Sequence, residues 1–168
     1  MKNHAGVLVS RRQWLAAGGA TAALLPFGMG DDAAAIAAVL ARFRAAYERV
    51  DPIAAEAVLA PDLVFSDPTF GLKANGIAEL RPIIGHAGDD FSAISLKIEH
   101  ELISPPWAVV RQEQILVLKK PAGRRVSVRG ISMFRISGDR IAEWHDYYDR
   151  AGFDRQMAEI KAAPVGRF

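Results

Sequence analysis

The chain has 168 residues, 51% of them hydrophobic, which is enough for one sizeable core and requires no second domain. Its pI near 9.1 raises the question of a nucleic-acid partner, but the first 30 residues hold Lys2, Arg11 and Arg12 and no acid. Taking those three from the 21 basic residues leaves 18 against 19 acidic ones, so the basicity belongs to the N-terminal leader and nucleic acid is excluded as a partner; with no cysteine there is also no disulfide, thiolate nucleophile or thiolate metal site.

Residues 10–15 read Ser-Arg-Arg-Gln-Trp-Leu and lead into an apolar run rich in Gly and Ala that extends to Gly30. This is the pattern of a twin-arginine export signal. The run is about 15 residues, too short and too weakly apolar to span a bilayer comfortably. The expectation is a cleaved signal over residues 1–30, cut after Ala22 or just before Asp31. A single domain over 31–168 would then be periplasmic or secreted, without a membrane partner.

From Asp31 to Val50 the apolar residues Ile36, Val39, Leu40, Phe43, Tyr47 and Val50 recur at intervals of three and four, the stripe of an amphipathic helix. Asp51-Pro52 pairs a capping side chain with proline at a first helical position, predicting a second helix that stops before Pro61. Leu63 to Asp67 reads as a short strand, and Pro68 to Gly76 as a loop. Ile77, Leu80, Ile83 and Ile84 suggest a third helix that Pro82 should kink or divide.

Beyond Asp90 the period changes to two, with Ile94, Leu96, Ile98 and His100 alternating with polar residues. Trp107–Leu118 and Val126–Ile136 follow as strands, separated by a Lys-Pro-Ala-Gly-Arg-Arg turn, and a final aromatic strand runs from Ile141 to Asp149. The tail from Phe153 to about Ala162 is helical in pattern. Helices first and antiparallel strands afterwards predict an α+β fold with about three N-terminal helices packed on the concave face of a curved sheet.

Alternation in Ile-Ala-Glu-Trp-His-Asp-Tyr-Tyr-Asp places Trp144, Asp146 and Tyr148 on one side and Glu143, His145 and Tyr147 on the other. A carboxylate between an indole and a phenol is either paired in a dry setting or poised for chemistry. Arg111 and Glu113, two apart on a middle strand, share a face with Trp107; if that face is the concave one, Arg111 bridges Glu113 and Asp146. Asp67 before Pro68 reads as a turn former and as a base about equally. No pair among His86, His100 and His145 has metal-ligand spacing, so no metal is expected.

This order of elements, with Val-Phe-Ser-Asp-Pro-Thr-Phe-Gly at the first strand and Ile-Ala-Glu-Trp-His-Asp-Tyr-Tyr-Asp at the last, resembles the nuclear transport factor 2-like superfamily. More narrowly it is similar to the SnoaL-like and limonene-1,2-epoxide hydrolase branches, over residues 33 to about 157. The resemblance implies a cone with an apolar pocket between helices and sheet, walled here by Phe43, Phe65, Trp107, Trp144 and Tyr148, and a homodimer formed through the sheet. The epoxide hydrolases use an Arg-x-Asp and the first Asp of a Trp-Arg-Asp-Tyr-Phe-Asp segment. Arg111-Gln112-Glu113 and Asp146 stand at those positions, which implies Glu113 as acid and Asp146 as base.

Phe65-Ser66-Asp67 replaces the Tyr-x-Asn that positions water in those hydrolases. Asp67-Pro68 is similar to the Glu-Asp-Pro of ketosteroid isomerases, but the Tyr and Asp that serve that family as oxyanion donors are replaced here by Phe43 and Ser132. The expected function is a cofactor-independent acid-base enzyme acting on a small apolar oxygenated ring compound, most concretely by epoxide hydration. The alternatives are isomerase or polyketide cyclase chemistry with Asp67 as base, and a periplasmic module that binds apolar ligands without catalysis. The first reading requires Asp67, Arg111, Glu113 and Asp146 to meet at one cavity.

Overall fold

The computed structural model describes residues 29–162; the expected export signal lies outside them except for its last two residues. The chain runs α1 (Met29–Glu48), α2 (Pro52–Glu56), β1 (Leu59–Asp67), β2 (Leu72–Asn75), α3 (Ile77–Asp90), β3 (Phe91–Ser104), β4 (Trp107–Leu118), β5 (Arg125–Ser137), β6 (Arg140–Tyr148) and α4 (Arg150–Ala162). The strands form one unclosed sheet in the order β2-β1-β6-β5-β4-β3. All neighbours are antiparallel except β1 and β6, which run parallel with Phe65 opposite Trp144. Among the described residues no helix is long and apolar enough to cross a membrane.

The stripe on α1 buries Ile36, Val39, Leu40 and Phe43 against Leu63, Phe65, Val110, Phe134 and Trp144 of the sheet. Each such side chain removed from water contributes roughly 1.5–3 kcal/mol before chain entropy is counted. The helix stops at Glu48, two residues short of the last apolar position. There the chain turns back: Val50 adopts φ 52°, and the Val50 and Asp51 amides donate to the Tyr47 and Ala46 carbonyls at 3.0 Å each. Asp51 caps α2 by accepting from the Ala54 amide at 3.0 Å.

Two strands depart from expectation. β1 begins at Leu59 and runs through Pro61, because the β1–β6 register slips between Leu59 and Val64, a place where a missing ladder donor does no harm. β2 lies in the stretch expected to be loop, and its burial reduces to Ala74 alone, so it carries no readable alternation. α3 runs through Pro82 undivided. Proline in its second turn forgoes one backbone bond, to the Ala78 carbonyl, and the rest of the helix continues.

α4 packs Phe153, Met157 and Ile160 against Ile94, Leu116, Val126 and Val128, closing the far end of the same sheet face. The first half of β5 extends beyond β6, and Gln156 completes its edge. Its side chain accepts from the Ser127 amide at 2.9 Å and donates to the Ser127 carbonyl at 2.7 Å. One sheet face is thus covered by helices, and the other is open.

Candidate functional site

The helix-covered face of the central strands carries Val110, Gln112 and Gln114 on β4, Ser132 and Phe134 on β5, and Trp144, Asp146 and Tyr148 on β6. Register brings them together: Val110 pairs with Ser132, and Ser132 with Asp146. Leu40, Phe43, Arg44 and Tyr47 of α1 complete a cavity of about 10 Å³ against these side chains, room for about one water molecule. Trp144 is the hub of its apolar wall, with ring centroids 4.9 Å from Phe43, 4.7 Å from Phe65 and 6.0 Å from Tyr47.

Behind the polar wall lies Asp146, 3% exposed. Its Oδ1 accepts from the Ser132 hydroxyl at 2.5 Å and its Oδ2 from the Tyr148 hydroxyl at 3.0 Å. Each hydroxyl is itself held by an amide: Gln112 Nε2 donates to Ser132 Oγ at 2.8 Å, and Gln114 Nε2 donates to Tyr148 Oη. Because the amides can only donate at these contacts, both hydroxyl protons are directed at Asp146. Two hydrogen-bonded chains therefore run from the glutamines to one carboxylate.

Burial pushes the Asp146 carboxyl up to about 6; the Ser132, Trp144 and Tyr148 donors pull it down, and the Asp67 charge adds to the rise. The same burial, with the Asp146 charge, holds the Tyr47 and Tyr148 phenols above their ordinary value, so both stay protonated. Trp144 Nε1–H lies on the Asp146 side and favours its charged form, yet it completes no hydrogen bond among the described residues. A buried donor left without an acceptor costs about 1–3 kcal/mol.

Tyr148 reaches Asp146 because position 130 is glycine. A Cβ there would overlap the Tyr148 ring, and Gly130 pairs directly with Tyr148 across the β5–β6 ladder. Gly130→Ala is expected to displace that ring, weaken the Asp146 contact and cost about 1–3 kcal/mol of stability, to be read from urea unfolding. The other end of the Tyr148 backbone is fixed by its amide donating to Thr69 Oγ1 at 2.9 Å.

Asp67, 4% exposed, stands on β1 beside Asp146 on β6, one residue beyond the Ser66–His145 pair. Its Oδ1 accepts from the Phe70 amide at 3.2 Å, the geometry of a turn-forming aspartate. Burial raises its carboxyl, against the Phe70 and Thr69 hydrogen bonds and the Arg150 charge. It does not line the cavity. Phe65 is buried behind Trp144 and likewise lines no part of it, whereas Phe43, Trp144 and Tyr148 do.

Arg111, Glu113 and Trp107 lie on the open face, which corrects the expected constellation. Arg111 pairs with Glu99 at 2.7 Å, and Glu113 sits 3.7 Å from Lys97 and 3.8 Å from Arg129. The four side chains required for the two-carboxylate mechanism share no cavity, and the neutral pair Gln112 and Gln114 occupies the place assigned to Arg111 and Glu113. The physical reason is desolvation: mid-strand charges remain near water on the open face, while neutral amides can be buried once paired. Arg111→Ala and Glu113→Gln are expected to change stability by less than about 1 kcal/mol and to leave turnover at the cavity unaltered, as steady-state rates would show.

His145 faces away from Asp146, with Nδ1 2.7 Å from Ser66 Oγ and Nε2 3.2 Å from Glu143. Among the described residues no group of three or more His, Asp or Glu is placed to hold a metal ion. Tyr47, Gln112, Gln114 and Ser132 are the site residues that sequence reasoning did not assign. The available signal was parity: once Ser132 and Asp146 are aligned, β4 presents its even-numbered residues to the same face.

A search of curated proteins found no match. Several solved structures share the fold. A protein of ketosteroid isomerase-like fold from Catenulispora acidiphila, in complex with trimethylamine, superposes with a TM-score of 0.65 at 17% identity, over 71% of this chain and 92% of its own. An LEH-like epoxide hydrolase from M. tuberculosis gives 0.61 at 20% identity, over 76% and 94%. TsrD from Streptomyces laurentii gives 0.63 at 26% identity, over 74% and 95%. Residues 40–144, from the α1 wall of the cavity to Trp144, match the SnoaL-like domain, and the protein belongs to that family within the nuclear transport factor 2-like fold.

Proposed function

We propose that the protein is a cofactor-independent enzyme that binds a small apolar ketone and moves a proton at the carbon beside its carbonyl, as isomerases and cyclases do. The observation that carries this reading is Asp146: a buried carboxylate with a pKa of about 6, linked to the cavity wall by two hydroxyls that donate to it. At neutral pH it is ionised and still basic enough to accept a proton, the compromise that general-base catalysis favours. Tyr148 relays the transfer. Its oxygen takes the substrate proton as its own proton passes to Asp146 Oδ2.

Epoxide hydration by an Arg-bridged pair of carboxylates has less support, since Arg111 and Glu113 stand on the other side of the sheet. Asp67 is committed to its turn and is set aside as the base. A ligand larger than water enters only as the wall moves. α1 is the wall element held from outside, by the Arg44–Glu101 ion pair and by Glu48 accepting from the Leu96 amide at 2.8 Å. Deuterium uptake beside the carbonyl of a panel of cyclic ketones tests the proposal. Uptake with the wild type and its loss in Asp146→Asn are expected; ketones recovered without deuterium would mark a binding module instead.

A further inference from the structure

On the open face of the sheet, three side chains outside both the core and the cavity stand in line across β1 and β6. Ser66 Oγ lies 2.7 Å from His145 Nδ1, and His145 Nε2 lies 3.2 Å from Glu143 Oε2. The other carboxylate oxygen, Oε1, accepts from Arg135 Nε at 2.5 Å. The hydrogen bonds from Arg135 and His145 hold the Glu143 carboxyl below its ordinary value, so a charged acceptor faces Nε2. In the neutral imidazole the proton therefore sits on Nε2 and the lone pair on Nδ1, and the Ser66 hydroxyl donates to that lone pair.

We infer that Ser66 is an activated nucleophile that takes acyl groups from activated esters, with His145 as its general base and Glu143 as the residue that positions the imidazole. A hydroxyl within hydrogen-bond reach of an imidazole that a third group orients is the arrangement that makes serine reactive, and it is recognised by geometry and roles rather than by place in the chain. Serine meets Nδ1 here and the carboxylate meets Nε2. Either ring nitrogen can act as the base, because the hydrogen bond made by one decides which of them is free to accept. Lys73 is the cross-strand partner of Ser66 on β2. Its side chain thus leaves the same face from a Cβ about 5 Å away and can bring an ammonium to the oxygen that becomes charged.

The step balances without a cofactor. Ser66 Oγ bonds to the ester carbonyl carbon, its proton passes to His145 Nδ1, and the carbonyl π pair moves onto oxygen. That pair returns as the bond to the leaving oxygen breaks, and the leaving group takes the proton from Nδ1. Water repeats the sequence on the acyl-serine and restores the hydroxyl. The His145 and Glu143 side chains are 21% and 27% exposed, so a small reagent reaches them from solvent. On an open face, selection rests on the leaving group more than on the shape of the acyl donor. Asp146 lies on the opposite face, which makes this inference independent of the proton-transfer reading above.

The test treats the full chain with 4-nitrophenyl acetate and, separately, with diisopropyl fluorophosphate, which loses fluoride to an activated serine. The wild type should release about one equivalent of 4-nitrophenolate in a burst, and peptide mass spectrometry should find the acetyl and the diisopropylphosphoryl groups on Ser66. Ser66→Ala should abolish both labels. His145→Gln should slow the burst by about a hundredfold or more, and Glu143→Gln should slow it while its amplitude stays the same. The wild type unfolded in urea should take no phosphoryl group, so the comparison of native with unfolded chain decides the matter even where a variant fails to fold. Acetyl groups on lysines with none on Ser66, absence of the phosphoryl label, or an unchanged burst in folded His145→Gln overturns the inference. Ser66 and His145 acting only as a tie between β1 and β6 would lower the unfolding midpoint of Ser66→Ala and leave the wild type unlabelled.

Discussion

Replacing Asp146 by Asn is expected to lower deuterium uptake by about 10²–10⁴-fold, the usual contribution of a positioned base. The wild-type rate should rise with pH and level off above the folded-state pKa of about 6, because only the ionised carboxylate accepts the proton. The stability effect has the opposite sign. The carboxyl titrates near 3.8 when unfolded and near 6 when folded, so between those values the folded chain binds more protons than the unfolded one. Stability therefore falls as pH rises through that window, by about 3 kcal/mol from this group alone. Asp146→Asn removes the titration. Urea unfolding from pH 4 to pH 8 should show a steep loss for the wild type and a flatter curve for the variant; parallel curves would mean that Asp146 is not held out of water.

Leu40→Ala should have the largest effect on stability at the cavity wall. Leu40 is 1% exposed and belongs both to the main core and to the cavity lining. Truncating such a residue costs about 2–5 kcal/mol, by lost transfer energy and by the void left behind. The added void joins a cavity that is only about 10 Å³ to begin with. Ligand entry then needs less displacement of α1, and affinity for a cyclic ketone should rise even as the unfolding midpoint drops. Affinity that falls together with stability would place the ligand elsewhere.

The architecture was legible because its signals are periodic and long. The α1 stripe and the alternation on β3 to β6 each extend over several turns or pleats, and they survive with boundaries shifted by a few residues. β2 was not legible, since four residues with one buried position carry no period. The parallel docking of β1 on β6 has no local signal at all. It depends on contacts across the whole chain.

The site was legible on β6 and not on β4. In β6 the polarity contrast is sharp, and alternation alone sorts Trp144 and Asp146 from Glu143 and His145. In β4 both faces are largely apolar: Trp107, Val109, Ile115 and Val117 on one, Ala108, Val110, Leu116 and Leu118 on the other. The charged residues then drew attention as candidates for chemistry. Burial selects in the other direction, because Arg111 and Glu113 need solvent or partners whereas the neutral amides of Gln112 and Gln114 are buried with Ser132 and Tyr148 as hydrogen-bond partners.

The parallel pairing of β1 with β6 also sets the order in which this molecule can come together. Ser66 and His145 meet across 79 residues of chain, whereas β3, β4 and β5 join by local hairpins. Loop closure over so long a separation is slow compared with hairpin formation. The meander therefore can form early, and the β1–β2 hairpin is captured only when the last strand arrives. Trp144, Asp146 and Tyr148 all lie on that strand. A chain interrupted during synthesis before β6 lacks Asp146, Trp144 and the docking edge for β1, so completion of the sheet and creation of the site are the same late event.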